Sequence, residues 1–367
     1  MAPVVHALAR CGPGVEARVC VTGQHREMLD QMLRLFAIKP DHDFGIMRAN
    51  QSLTDITVNV LERLDPVLAE ERPDWLLVQG DTTTALAAAL AGFYRRVRIG
   101  HVEAGLRTHD KRQPFPEEIN RALVDRLCDL YFAPTETARR NLLREGVDDG
   151  IIRVTGNTVI DALHWVIAQP GLADPPEWAL KTGRLLLVTA HRQENFGPPL
   201  ERVCRALAAI ARRRGAGVHI VYSVHLNPNV GVPVHRLLGG IANVTLCPPL
   251  AYPELVSLMK RAYLVLTDSG GIQEEAPGLG TPVLVLREVT ERPEAVEAGT
   301  VRVVGTDPER IASAVDRLLD DPADYAAMAR AVNPYGDGQA APRIVRALLD
   351  HGAGADPGAA HGGSGSD

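Results

Sequence analysis

Five cysteines, Cys11, Cys20, Cys128, Cys204 and Cys247, are scattered through 367 residues, and no two stand in C-x-x-C spacing. That pattern supports neither a disulfide framework nor a zinc site and fits reduced thiols in a cytoplasm. No apolar run approaches the ~20 residues that a membrane span needs, and the N-terminus shows no basic stretch followed by an apolar core. There is no excess of positive charge: the net charge is −6 and the isoelectric point about 6.1, which argues against nucleic acid as the main partner. No G-x-G-x-x-G follows a strand, so a nicotinamide site has little support. His101 and Glu103 alternate along one strand without an H-E-x-x-H or a cysteine set, so a metal site has little support either. Neither a metal nor a cofactor is expected.

What is present is alternation. Short β-rich runs and helical patterns succeed one another throughout, the signature of βαβ units and parallel sheets. Strands are predicted at 17–22, 75–79, 97–102, 130–132 and 152–154, then at 184–189, 219–224, 244–246, 264–266, 283–286 and 301–304. The run 169–176, rich in Pro and Gly, reads as a linker. The chain therefore divides into two Rossmann-like, doubly wound α/β domains, 1–168 and 177–332. A last helix at 339–351 returns to the first domain, and the Gly/Ala/Ser/Asp tail 352–367 is expected to be disordered. Ligands of such sheets sit beyond the carboxyl ends of the strands, so two domains facing a cleft would place their site there.

The most informative segment is Thr267-Asp268-Ser269-Gly270-Gly271-Ile272-Gln273-Glu274-Glu275. An apolar strand ends, a tight turn follows, and a helix begins whose first N–H groups suit a phosphate. Glu274 and Glu275 follow one turn in, where a carboxylate can accept from ribose hydroxyls. An ordinary capped helix is the plainer reading of this turn alone. Three other strand ends carry ionisable groups: Asp81 after 75–79, Glu103 after 97–102, and His191 after 184–189. Glu117 and Glu118 open a further helix behind Pro116. Asp81 could serve only as an N-cap, Glu117 and Glu118 only as first-turn acids, and His191 only as a satisfied histidine. Glu103 is harder to dismiss, because a carboxylate directly after an apolar strand is costly unless paired or used. Three carboxylates and a histidine at one mouth suit proton transfer on a sugar carbon.

The segments VTGQHREMLDQ, QGDTTTALA, GHVEAGLRT, PFPEEINR, TGNTVIDAL, VTAHRQENFG, VHLNPNV, LTDSGGIQEEAPGLGTPVLV, TERPEAVEAGT and NPYGDG occur in this order between residues 19 and 338. Together they resemble the non-hydrolysing UDP-N-acetylglucosamine 2-epimerases of bacteria. The resemblance implies a GT-B-like pair of Rossmann-like domains, a homodimer, and interconversion of UDP-N-acetylglucosamine with UDP-N-acetylmannosamine without a redox cofactor. It implies elimination of UDP to 2-acetamidoglucal and re-addition. Carried over by motif, Asp81, Glu103 and Glu117 handle the C2 proton and the sugar, with acid and base unassigned. His191 lies against the departing diphosphate, Ser269, Gly270 and Gly271 hold phosphate, Glu275 the ribose and Arg292 the nucleotide.

Some members of that family bind a second UDP-N-acetylglucosamine. The matching positions here are Gln24, Glu118, Arg192 and His225, while Glu27 and Asn50 depart from the pattern. The chain also lacks the family's opening strand and glycine-arginine-proline-glutamate loop, so the expectation is that the natural start lies upstream. Alternative readings are the hydrolysing branch, which releases N-acetylmannosamine and UDP, and a GT-B glycosyltransferase.

Overall fold

The computed structural model describes residues 1–23, 26–46, 48, 51–171, 175–179, 181–290 and 292–352. Twelve strands are present among them: β1 (Cys20–Val21), β2 (His42–Asp43), β3 (Trp75–Gln79), β4 (Arg98–Val102), β5 (Leu130–Ala133), β6 (Ile152–Val154), β7 (Arg184–Thr189), β8 (Val218–Ser223), β9 (Val244–Cys247), β10 (Leu264–Thr267), β11 (Val283–Val285) and β12 (Val301–Val303). Every pairing is parallel. Strands covered on both faces should be continuously apolar rather than alternating. Leu130-Tyr131-Phe132-Ala133 and Leu264-Val265-Leu266-Thr267 are buried at every position.

The chain divides into two compact units. The first comprises residues 1–158 and the chain from 339 onward; the second comprises 159–338. In the first, β3-β4-β5-β6 form one sheet, and β1 and β2 pair with each other in a second. The helix Ala340–Gly352 packs Ala341, Ile344, Val345 and Leu348 with Val102, Leu130 and Phe132, so this helix belongs to the core of the first unit. Helix Ala2–Ala9 joins the same cluster through Val4 and Ala7.

In the second unit six strands run in the order β12-β11-β10-β7-β8-β9. The order reverses between β10 and β7, which are neighbours in register Thr267↔Thr189. Loops leaving two adjacent strands on opposite sides of such a switch point diverge and open a crevice.

The boundary between units falls at 158/159, ahead of the expected linker at 169–176. The helix Thr158–Ala168 explains the difference. Its Ile160 and Leu163 reach within 3.5 and 3.3 Å of the space above Gly278, so its apolar face is committed to the second unit. Of the linker, 172–174 lie outside the described residues, as does the tail beyond 352. No helix among the described residues is long and apolar enough to cross a membrane.

Candidate active site

In the first unit β3 ends at Gln79, and Gly80 turns the chain at φ +69°. Asp81 follows, but it does not cap the next helix. Thr82 does, accepting from the Ala85 amide at 3.1 Å. The purely structural role for Asp81 is therefore taken by its neighbour. The Asp81 carboxylate instead meets the Arg121 guanidinium at 2.6 Å, and its backbone carbonyl accepts from the Asn120 side chain at 2.9 Å. Both partners lie on the helix Glu117–Leu127, the one that Glu117 opens.

Glu103 leaves β4 with φ +70°, a left-handed conformation that costs a non-glycine residue ~1–3 kcal/mol. Its amide and that of Ala104 both donate to the Phe132 carbonyl, at 3.0 and 3.1 Å, which holds the turn. One carboxylate oxygen lies 3.5 Å from where a side chain on Gly80 would begin, and the other accepts from Asn157 at 3.5 Å. Asp81 and Glu103 thus follow the ends of two adjacent paired strands.

Glu117 is half-buried in the first turn of its helix. Glu118 is buried and has a clear internal task. Its carboxylate accepts from the amides of Thr108 and His109 at 3.0 and 2.8 Å and stands 3.6 Å from Arg121. Gln24 and Asn50 lie outside the described residues, as does the side chain of Glu27.

The second unit brings together the other sequence-predicted residues at its switch point. Asp268, fully buried at the end of β10, accepts from the amides of His191 and Arg192 at 2.9 and 2.8 Å and from the Asn195 side chain at 3.0 Å. One carboxylate therefore shapes the loop that follows β7. The His191 ring stacks on His225, with centroids 5.4 Å apart and planes 11° from parallel. Burial lowers the pKa of His191; Asp268, 3.8 Å away, opposes that, while His225 and Arg192 reinforce it.

The helix after Ser269 runs only from Gly270 to Glu275 and passes into a 3₁₀ turn, so its dipole is short. Two arginine side chains also approach this turn. The guanidinium groups of Arg192 and Arg292 stand 3.8 and 3.7 Å from the position a Gly270 Cβ would occupy. The Ser269 side chain does not cap the helix. Glu274 pairs with Arg292, while Glu275 accepts from the Tyr252 hydroxyl at 2.8 Å. Burial, with Glu274 nearby, pushes the Glu275 carboxyl up to about 7 against the lowering effect of Tyr252.

Sequence reasoning missed Asn120, Arg121, Tyr252 and Asp268 as parts of this machinery. Asp268 had a signal, since it directly follows an apolar strand as Glu103 does. No group of three or more metal-binding side chains occurs among the described residues.

Residues 8–349 match the family model described as UDP-N-acetylglucosamine 2-epimerase. The chain is 58% identical over 359 residues to UDP-N-acetylglucosamine 2-epimerase of Escherichia coli strain K12, covering 96% of this chain and 95% of that one. It is 57% identical to the enzyme of the same name from Yersinia pestis, with the same coverage. A crystal structure of UDP-GlcNAc 2-epimerase from Neisseria meningitidis bound to UDP-GlcNAc superposes with TM-score 0.86 at 45% identity, covering 95% of this chain and 96% of that one. The chain belongs to the UDP-N-acetylglucosamine 2-epimerase family.

Proposed function

We propose that this protein interconverts UDP-N-acetylglucosamine and UDP-N-acetylmannosamine without a redox cofactor. A carboxylate of the first unit takes the C2 proton as the C1–oxygen bond breaks, and the bonding pair leaves with UDP. The product pair is 2-acetamidoglucal and UDP. UDP oxygen then re-adds at C1 while a proton reaches the opposite face of C2. Asp81, Glu103 and Glu117 are the groups for proton transfer and sugar positioning. His191 offsets charge on the departing diphosphate, Ser269, Gly270 and Gly271 hold phosphate, Glu275 accepts from the ribose and Arg292 contacts the nucleotide.

The observation that carries this reading is the pairing of Asp81 and Glu103 at adjacent strand ends, the first gripped at both carbonyl and carboxylate, the second held in left-handed backbone. Support also comes from relatives that carry the epimerase name at more than half identity over nearly the whole chain.

The test is incubation with UDP-N-acetylglucosamine in heavy water followed by NMR. Deuterium at C2 with UDP-N-acetylmannosamine present is expected. Free N-acetylmannosamine would indicate the hydrolysing branch, and an unchanged spectrum would overturn turnover altogether. We further infer a cytoplasmic homodimer, which the five free thiols and the exposed Phe115, Ile119 and Leu123 around one helix support. Mass by light scattering tests the dimer. Regulation by a second substrate molecule at Gln24, Glu118, Arg192 and His225 predicts a sigmoidal rate curve; a hyperbolic one would refute it.

A further inference from the structure

His101 is completely buried in β4, two residues before Glu103. Its Nδ1 meets the Asp125 carboxylate at 2.6 Å and its Nε2 meets the Gly80 carbonyl at 2.9 Å. A carboxylate and a backbone carbonyl only accept, so the ring donates from both nitrogens. Asp125, also buried, accepts in addition from the Gly105 amide at 3.2 Å and from Arg107 at 2.7 Å. Arg107 closes the relay with two bonds to Glu145, at 2.7 and 2.8 Å. Two cations and two anions balance, which a network with this little solvent requires. Burial by itself would raise the Asp125 carboxyl, but His101 and Arg107 outweigh it and hold the group below the ordinary range.

The relay touches both carboxylate-bearing turns. The peptide that carries Asp81 is gripped twice from β4: the Gly80 amide donates to the Val102 carbonyl at 3.0 Å, and the Gly80 carbonyl accepts from His101. On the other side, Asp125 holds Gly105, which closes the turn containing Glu103 at φ +83°. A side chain at Gly105 would stand 2.4 Å from the Ala138 carbonyl, so only glycine fits beside the Asp125 contact. We propose that His101 and Asp125 are positioning residues that fix the separation of Asp81 and Glu103. The inference rests on the roles given to those two carboxylates above and deepens them. Misplacement by about 1 Å can cost ~10²-fold in rate, so the relay should be visible in turnover.

The two amide replacements of His101 separate its two contacts. In His101→Gln the side-chain amide reaches toward the Nε2 position and keeps a donor for Gly80. In His101→Asn it reaches toward Nδ1 and keeps only the Asp125 contact. Turnover should fall by about 10²-fold in His101→Asn and by no more than about tenfold in His101→Gln, with KM changed less than about threefold in both. Equal kcat in the two variants, or kcat that merely follows the loss of Tm, would overturn the positioning role. Should both variants fail to fold, selectively ¹⁵N-histidine-labelled wild type decides: two protected ring N–H signals for His101 are expected, and a single one would refute the relay. Asp81→Asn and Glu103→Gln are measured alongside. Near-normal turnover in those two would sink the carboxylate reading itself. Their inactivity beside a fully active His101→Asn would sink only this inference.

Discussion

Arg121 and Asp81 are 40 positions apart in the chain and joined by a 2.6 Å ion pair, with the arginine side chain 11% exposed and the aspartate 30%. The same guanidinium lies 3.6 Å from Glu118 through its other terminal nitrogen. A planar fork can address two carboxylates at once, whereas a lysine ammonium is a single point. Arg121→Met should therefore reduce kcat by about 10²-fold, and Arg121→Lys by about tenfold, with substrate KM changing less than either. Steady-state kinetics on the two variants, beside their melting temperatures, checks this. Wild-type kcat in Arg121→Met would show that Asp81 needs no anchor.

Glu103 stores backbone strain at the site, and the strain can be measured without activity. Glycine at φ +70° is relaxed, while alanine is not. Glu103→Gly should be about 1 kcal/mol more stable than Glu103→Ala, reversing the usual order of these two residues. Both should lose turnover. Denaturant melts of the pair are the measurement, and an alanine variant as stable as the glycine one would mean that the turn relaxes.

Much of this arrangement was legible in the sequence because it lies at strand ends. Apolar runs such as Leu264 to Leu266 mark buried parallel strands, and the polar residues just beyond them mark the site face. Strand β1, Cys20–Val21, falls inside the run expected at 17–22, whereas β2, at two residues, is too short to show any period. The partner residues were hidden for another reason. Tyr252 lies 23 residues before Glu275, and Asp125 lies 24 after His101, so only the fold brings them together. His101 stood in the sequence only as a residue alternating with Glu103, and the contacts of its two ring nitrogens with Asp125 and Gly80 come from the fold. The turn at Ser269 showed a helix start in the sequence, but not that Arg192 and Arg292, from other segments, approach Gly270.

Glu275 links stability to pH. Its folded carboxyl titrates at about 7, above the ordinary glutamate value of roughly 4.3. Between those two values the folded state binds more protons than the unfolded one, so stability falls as pH rises through the window and levels off above it. Glu275→Gln has no such group. Without ligand, its Tm relative to wild type should climb from pH 5 to 7 and then stay constant. Tyr252→Phe removes the hydrogen bond that lowers this carboxyl, so its window should extend to higher pH. A Tm difference between Glu275→Gln and wild type that is flat across that range would show an ordinary carboxylate.

Asp268 acts on His191 in two ways that one variant separates. As a hydrogen-bond acceptor it holds the amides of His191 and Arg192, and as a buried negative charge it raises the imidazole pKa against burial, His225 and Arg192. Asp268→Asn keeps an oxygen for the amides but removes the charge. Leaving a buried amide imperfectly paired should cost about 1–3 kcal/mol, a clear drop in Tm. The His191 ring should titrate at lower pH than in wild type, because the one group favouring its cation is gone. If His191 offsets charge on the departing diphosphate, turnover at pH 7 should then fall and partly recover as the pH is lowered toward the displaced titration. Histidine NMR titrations of both proteins, set beside their pH–rate curves, read the two effects on one sample. An unmoved or raised His191 titration in Asp268→Asn would remove the electrostatic link, and leave Asp268 as the clamp of the loop after β7.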